Sequence, residues 1–248
     1  MALKVDVIES AATVSAEKIK DHSTAIIDIF RATSVMCAAF NNGAQRIIPL
    51  TDIDQVFELR EKLLEENPEA KILMGGERKT LLIEGFDLDN SPLAYTRERV
   101  EAATILMSTT NGTRTINAAS ASREIYIASL LNAKAIVEKL IESQNDISII
   151  CAGRLNTFTM EDGLCAGYMA KLLAKQGYEL SDFAWVMADL YTRYSQNLRE
   201  SLKNGLHYNA INERLQEDVK YSIQLDIMTI TPKVYIDETK NYQEIRLG

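Results

Sequence analysis

Ile105-Leu106-Met107-Ser108-Thr109-Thr110-Asn111-Gly112-Thr113-Arg114 runs from an apolar, strand-like segment directly into hydroxyls, an amide, a glycine and an arginine. Three further stretches repeat the design: Ala25-Ile26-Ile27-Asp28-Ile29-Phe30-Arg31-Ala32-Thr33, Ile72-Leu73-Met74-Gly75-Gly76-Glu77-Arg78, and Ile147-Ser148-Ile149-Ile150-Cys151-Ala152-Gly153-Arg154. In an open α/β sheet, ligands bind beyond the carboxyl ends of the strands, where helices that start there present free N–H groups to anions. Four polar strand ends therefore predict one anion-binding crevice.

Working outward, short β-branched runs alternate with longer amphipathic ones. Strands are predicted over residues 4–8, 25–29, 46–49, 71–74, 105–108, 125–128 and 147–151, and helices over 33–42, 53–66, 113–119, 132–142, 160–175 and 190–203. Alternation of this kind predicts an α/β fold on a mostly parallel sheet covered on both faces. Asp52 is placed to cap the second helix, Gly43 and Gly177 fall where helices end, and Ser91-Pro92 opens a helical turn. After Tyr178, glycine thins, tyrosines cluster and a polar helical pattern continues to Leu225, before a strand-like end at 233–236. No Gly/Ser linker or low-complexity tract divides residues 1–248, so a single domain, or two closely packed halves, is expected.

A chain of 248 residues, 46% hydrophobic, can bury a sizeable core. Its net charge of −8 argues against non-specific binding to nucleic acid or to an anionic membrane, both of which need excess Lys and Arg. Cys37, Cys151 and Cys165 form neither a C-x-x-C pair nor an even-numbered disulfide framework, and read as reduced thiols. No run of about 18 apolar residues is present, and Asp6 and Glu9 fall where a signal peptide would be apolar, so the expected location is the cytoplasm. Assembly into a homo-oligomer is left open.

Several motifs fail on inspection. Asp52-Ile53-Asp54-Gln55-Val56 fits the D-x-D-x-[TV] pattern of aspartyl-phosphate enzymes, but both aspartates begin an amphipathic helix, where capping is the simpler role. A thiolate phosphate loop anchored at Cys151 needs arginine at position 157, which is Thr157. Neither a P-loop nor a G-x-G-x-x-G fingerprint occurs. With only His22 and His207, zinc or phosphohistidine chemistry has little material.

Carboxylates and arginines remain. Asp28, Glu77, Glu161 and Asp162 fall at strand ends or helix starts, where hard oxygen ligands can hold Mg²⁺. Arg31, Arg78, Arg114 and Arg154 accompany them and offer planar forks to phosphate, carboxylate or sulfonate. Any one of these clusters is equally well an ordinary surface ion pair or a favourable charge at a helix N-terminus; four at equivalent positions point to a site.

In order along the chain, the motifs are Asp28-Ile29-Phe30-Arg31-Ala32-Thr33-Ser34, Gly76-Glu77-Arg78, Gly85-Phe86-Asp87-Leu88-Asp89-Asn90-Ser91-Pro92, Ser108-Thr109-Thr110-Asn111-Gly112-Thr113-Arg114, Ser129-Leu130-Leu131-Asn132-Ala133, and Cys151-Ala152-Gly153 with Glu161-Asp162-Gly163-Leu164-Cys165-Ala166-Gly167. A weaker echo follows at Glu217-Asp218-Val219 and Asp226. Together they resemble the 2-phosphosulfolactate phosphatase family of Mg²⁺-dependent acid phosphatases. The resemblance implies a three-layer α/β/α fold with a mixed, mostly parallel sheet, a Mg²⁺ cofactor and hydrolysis of the phosphate ester of a small 2-hydroxy acid bearing a sulfonate, a step that in methanogens belongs to coenzyme M synthesis. It implies catalytic roles for Asp28, Arg31, Glu77, Arg78, Arg114 and Asp162, metal ligation by Asp28, Glu161 and Asp162, and substrate contacts from Asn90, Ser91, Thr109, Thr110, Asn111, Gly112, Thr113, Ser129 and Asn132. Asp89 and Thr80 stand where the family pattern leads one to expect glycine. Two other classes stay open at this point: a non-catalytic sensor of an anionic metabolite, and a phosphatase of nucleotides or sugar phosphates.

Overall fold

The computed structural model describes residues 2–211, 215–237 and 239–248. Its strands are β1 (Lys4–Ile8), β2 (Ser23–Ile27), β3 (Arg46–Pro49), β4 (Ile72–Gly76), β5 (Thr104–Ser108), β6 (Glu124–Ala128), β7 (Ile147–Cys151), β8 (Glu179–Leu180), β9 (Pro232–Tyr235) and β10 (Glu244–Leu247). All ten lie in one sheet, in the order β4-β5-β3-β10-β9-β6-β2-β7-β1-β8. The helices are α1 (Ala16–Ile19), α2 (Ala32–Asn41), α3 (Ile53–Glu66), α4 (Arg97–Val100), α5 (Gly112–Ala118), α6 (Ala133–Glu142), α7 (Met160–Ala174), α8 (Asp182–Tyr194), α9 (Leu198–Leu202), α10 (Leu206–Ala210) and α11 (Gln216–Ser222).

The expected mixed, mostly parallel sheet is present, with a division the sequence pattern did not reveal. One parallel block contains β6, β2, β7, β1 and β8, and a second contains β4, β5 and β3. Between them β9 and β10 pair antiparallel with each other, and with β6 and β3 respectively. The two blocks therefore have opposite polarity along the ladder. A twist of about 20–25° per strand accumulates beyond a right angle over the steps from β5 to β2, so opposed polarity does not keep the two sets of carboxyl ends apart.

Strict alternation along the buried strands builds the three layers. Ala25 and Ile27 of β2 pack with Ile136, Leu164, Met169 and Met187 from α6, α7 and α8 on one face. Ile26 points the other way, into a core with Val35, Met36 and Ile116 of α2 and α5 that also takes Ile47 and Ile105 from the second block. Ile48 and Leu106, on the side opposite Ile47 and Ile105, are covered by Val56 and Leu63 of α3. Helices α7 and α8 approach closely because Gly167 has no Cβ; one built there would stand 2.0 Å from the Met187 carbonyl oxygen.

The expected helix over 190–203 is corrected. Helix α8 begins at Asp182, with the Ser181 hydroxyl accepting from the Ala184 N–H, and a 3-10 turn at Ser195–Asn197 separates it from α9. Trp185 and Val186 of α8 face solvent, 63% and 48% exposed, which blurs the apolar period that would have marked its start. Within the polar helical region expected up to Leu225, residues 212–214 lie outside the described residues. Among the described residues no helix is long and apolar enough to cross a membrane.

Candidate active site

Asp28 follows β2 directly, in a turn held by hydroxyls rather than by its own carboxylate. The Asp28 N–H donates to Thr33 Oγ1 at 2.9 Å, that hydroxyl donates back to the Asp28 carbonyl at 3.0 Å, and Ser34 Oγ donates to the Ile29 carbonyl at 2.9 Å. Arg31 is held by a carboxylate from α11: its Nη1 donates to Asp218 Oδ2 at 2.5 Å, and Asp218 Oδ1 accepts from Ser91 Oγ at 2.5 Å. Both members of the ion pair are buried.

The first turn of α7 brings two more carboxylates to this place. Asp162 ties two strand ends together, its Oδ1 accepting from the Ile29 N–H at 2.9 Å and its Oδ2 from the Gly153 N–H at 3.1 Å. Glu161 is 2% exposed; its Oε1 meets Nδ1 of His207 at 2.5 Å, while its buried Oε2 has no hydrogen-bond partner. Burial pushes the Asp28 carboxyl up to about 6, against the pull of His207 and of the Ala32 N–H, with Glu161 and Glu77 adding like charge. Asp162 is raised well above the usual range by burial and by the charges of Glu161 and Asp28. Three buried carboxylates, one with an oxygen that has no donor, form a locus of concentrated negative charge that a cation would relieve.

The second block adds its own loops. Glu77 Oε1 accepts from the Thr110 N–H at 3.1 Å and hydroxyl at 2.8 Å, and its Oε2 accepts from the Thr80 N–H at 2.8 Å. Arg78 clamps the strand ends, with Nη2 donating to the Thr51 carbonyl and to Ser108 Oγ, each at 2.9 Å. Both residues thus hold loops in place. At Gly112 a Cβ would lie 2.4 Å from Ala32 Cβ and 3.5 Å from Asp28 Oδ2, so α5 begins against the Asp28 turn. Thr109 and Thr113 are buried beside it and hydrogen bond to each other; Asn111 is half-buried. The carboxyl ends of β2, β4, β5 and β7, from both blocks, thus come together.

Exposed cations follow the same strand ends along the chain. Arg114 is exposed and donates to Asn156 Oδ1 at 2.7 Å, and the side chains of Lys79 and Arg154 are exposed. Asn90 is buried with an unpartnered Oδ1. Ser129 and Asn132 are brought to the end of β6, but their polar atoms serve the fold. Asn132 Oδ1 accepts from the Ser129 N–H, its Nδ2 donates to the Ile127 and Ile230 carbonyls, and Ser129 Oγ pairs with Ser34 Oγ. A hollow of about 510 Å³ lined by Leu50, Gln55, Lys62 and Tyr242 contains none of Asp28, Glu77, Glu161 and Asp162.

Two motifs set aside in the sequence have the simpler roles. Asp52 caps α3, accepting from the Asp54 N–H at 2.9 Å. Burial raises the Cys151 thiol well above its ordinary value, with the neighbouring Asp162 charge adding to the effect, so no thiolate nucleophile is poised there. The sequence reading did not single out His207, which reaches Glu161 from α10, and saw Asp218 only as a weak echo. Both act across the fold, and no local spacing marks them.

A family model described as 2-phosphosulpholactate phosphatase matches residues 8–236. The chain belongs to that family. Among curated relatives, a probable 2-phosphosulfolactate phosphatase of Clostridium novyi (strain NT) is 38% identical over 235 residues, covering 94% of this chain and 97% of that protein. Similarly named proteins of Clostridium tetani and Symbiobacterium thermophilum are 40% and 38% identical, covering 93% and 88% of this chain and 97% and 93% of their own. The two departures from the 2-phosphosulpholactate phosphatase pattern have local accounts. Thr80 sits at φ 67°, in the left-handed region that favours glycine, and its N–H is held by Glu77. Asp89 turns its extra carboxylate onto the Ser91 N–H at 3.1 Å.

Proposed function

We propose that this chain is a Mg²⁺-dependent phosphoric monoester hydrolase that converts 2-phosphosulfolactate, the phosphate ester of a small 2-hydroxy acid, into 3-sulfolactate and inorganic phosphate. Family membership supports the reaction class. The observation that carries the location is the meeting of Asp28 with Glu161 and Asp162, where Glu161 Oε2 is buried without a partner. Among the described residues no group of three or more His, Cys, Asp or Glu side chains has the geometry of a metal cage. Mg²⁺ is usually held by one or two carboxylates together with water and substrate oxygens, and this donor set fits it. Asp28 and Glu161 would hold the ion, with Asp162 adding charge beside them. When bound, Mg²⁺ supplies charge neutralisation to the phosphoryl oxygens.

The chain's own residues supply the rest. Arg114, Arg154 and Lys79 offer cations to a substrate bearing phosphate, carboxylate and sulfonate. The start of α5, whose Gly112 lies against the Asp28 turn, would orient the ester. A carboxylate of the cluster accepts the proton of the attacking water as its oxygen bonds to phosphorus; the ester O–P bond breaks and the leaving oxygen is protonated to give the hydroxy acid.

Phosphate release should be measured on 2-phosphorylated 2-hydroxy acids with and without a sulfonate, on nucleotides and on sugar phosphates, with Mg²⁺ and with chelator. Release is expected from the hydroxy-acid esters, fastest with the sulfonate, and restored by Mg²⁺ after chelation. Hydrolysis confined to nucleotides or sugar phosphates would reassign the substrate, binding without turnover would make the chain a sensor, and full activity after verified metal removal would eliminate the ion.

A further inference from the structure

We propose that His207 is a positioning residue that fixes the Glu161 carboxylate so that its second oxygen is presented to the metal; this rests on the reading of Asp28 and Glu161 as Mg²⁺ ligands. Glu161 Oε1 lies 2.5 Å from His207 Nδ1, and Oε2 is buried with no partner. An ionised carboxylate can only accept, so Nδ1 carries the hydrogen of this bond. A buried carboxylate with a single protein hydrogen bond is poorly satisfied as a structural group, and well arranged as a ligand: one oxygen anchored, the other offered.

The histidine is itself held in place. Its ring stands edge-on to Phe30, with centroids 6.1 Å apart and planes at 62°. Phe30 follows Ile29, whose N–H is bonded to Asp162. Helix α10 thus brings one side chain to both the Asp28 turn and the first turn of α7. Outer partners of this kind set the orientation of metal-binding groups, and removing them typically weakens affinity by about 10–100-fold.

The test is Mn²⁺ binding without substrate, followed by the electron paramagnetic resonance signal of the free ion, with circular dichroism to confirm folding. His207→Ala should weaken Mn²⁺ binding by about 10–100-fold. His207→Asn, whose amide nitrogen occupies the place of Nδ1, should stay close to the parent. In a Glu161→Gln background, removing His207 should cause no further loss. Unchanged or tighter binding in His207→Ala, or an equal loss in both backgrounds, would overturn the proposal. If His207→Ala does not fold, His207→Gln takes its place, because its donor sits where Nε2 was, and the same two outcomes decide. A parent protein that does not bind Mn²⁺ removes the metal reading together with this one, whereas a parent that binds it and a variant that matches it remove this one alone.

Discussion

If Asp28 holds the metal as proposed, it should have opposite consequences for stability and for turnover. Its carboxyl is raised from 3.8 to about 6 in the fold, chiefly by burial. Between those values the native state binds more protons than the unfolded chain, so in the absence of metal the residue destabilises the protein increasingly as pH rises through 6, and not at all below 3.8. Asp28→Asn should therefore stabilise the chelated protein at pH 8 by on the order of 3 kcal/mol, with the gain shrinking towards pH 4, while kcat collapses. Urea midpoints at both pH values and kcat against Mg²⁺ concentration check this; parent-like kcat with an unchanged Mg²⁺ midpoint would take Asp28 out of the site. Asp28 was legible as an acid interrupting an apolar strand, and Glu161 and Asp162 as acids at a helix start. The engagement of Glu77 by Thr80 and Thr110 was not, because residue type does not reveal which partners the fold brings. Nor were the His207 and Asp218 contacts, which span 46 and 187 residues.

At the scale of elements, local chemistry predicted most of what formed. The stretch 53–66 matches α3 because one cap and one apolar face agree. Asp52→Ala should cost about 1 kcal/mol through loss of the cap and leave turnover at the parent level. Retained stability with lost turnover would reopen the D-x-D-x-V reading, and thermal unfolding alongside phosphate release distinguishes the two. Elements that escaped the sequence are short or polar. Strand β8 has two residues, and β10 carries the charged Glu244 and Arg246, of which pairing with β9 leaves Glu244 buried and Arg246 exposed. The opposed polarity of the two blocks escaped as well, since alternation sets the layers and leaves strand order to long-range pairing.

Across the whole molecule, the β9–β10 pair is the seam between the blocks, and charges fasten both sides of it. Lys233 of β9 reaches Glu124 of β6 at 2.6 Å, and Glu244 of β10 reaches Arg46 of β3 at 3.1 Å. Burial would raise the Glu244 carboxyl, but hydrogen bonds from Lys240 and Arg246 and the charge of Arg46 outweigh it and hold it below its ordinary value. Its contribution is thus complete above about 4.5, the usual glutamate value, and is lost as pH falls through the lower folded value. Glu244→Gln should cost about 1–3 kcal/mol at pH 7, and parent and variant should converge in acid, as urea midpoints would reveal; a gap that persists in acid would show that the charge is not what matters. The seam also has a consequence for synthesis. A ribosome releases β1 to β7 long before it reaches Pro232, at ~5–20 residues per second. For several seconds the nascent chain therefore holds two part-sheets with open edges at β6 and β3 and nothing to join them, which is the interval when a chaperone would matter most.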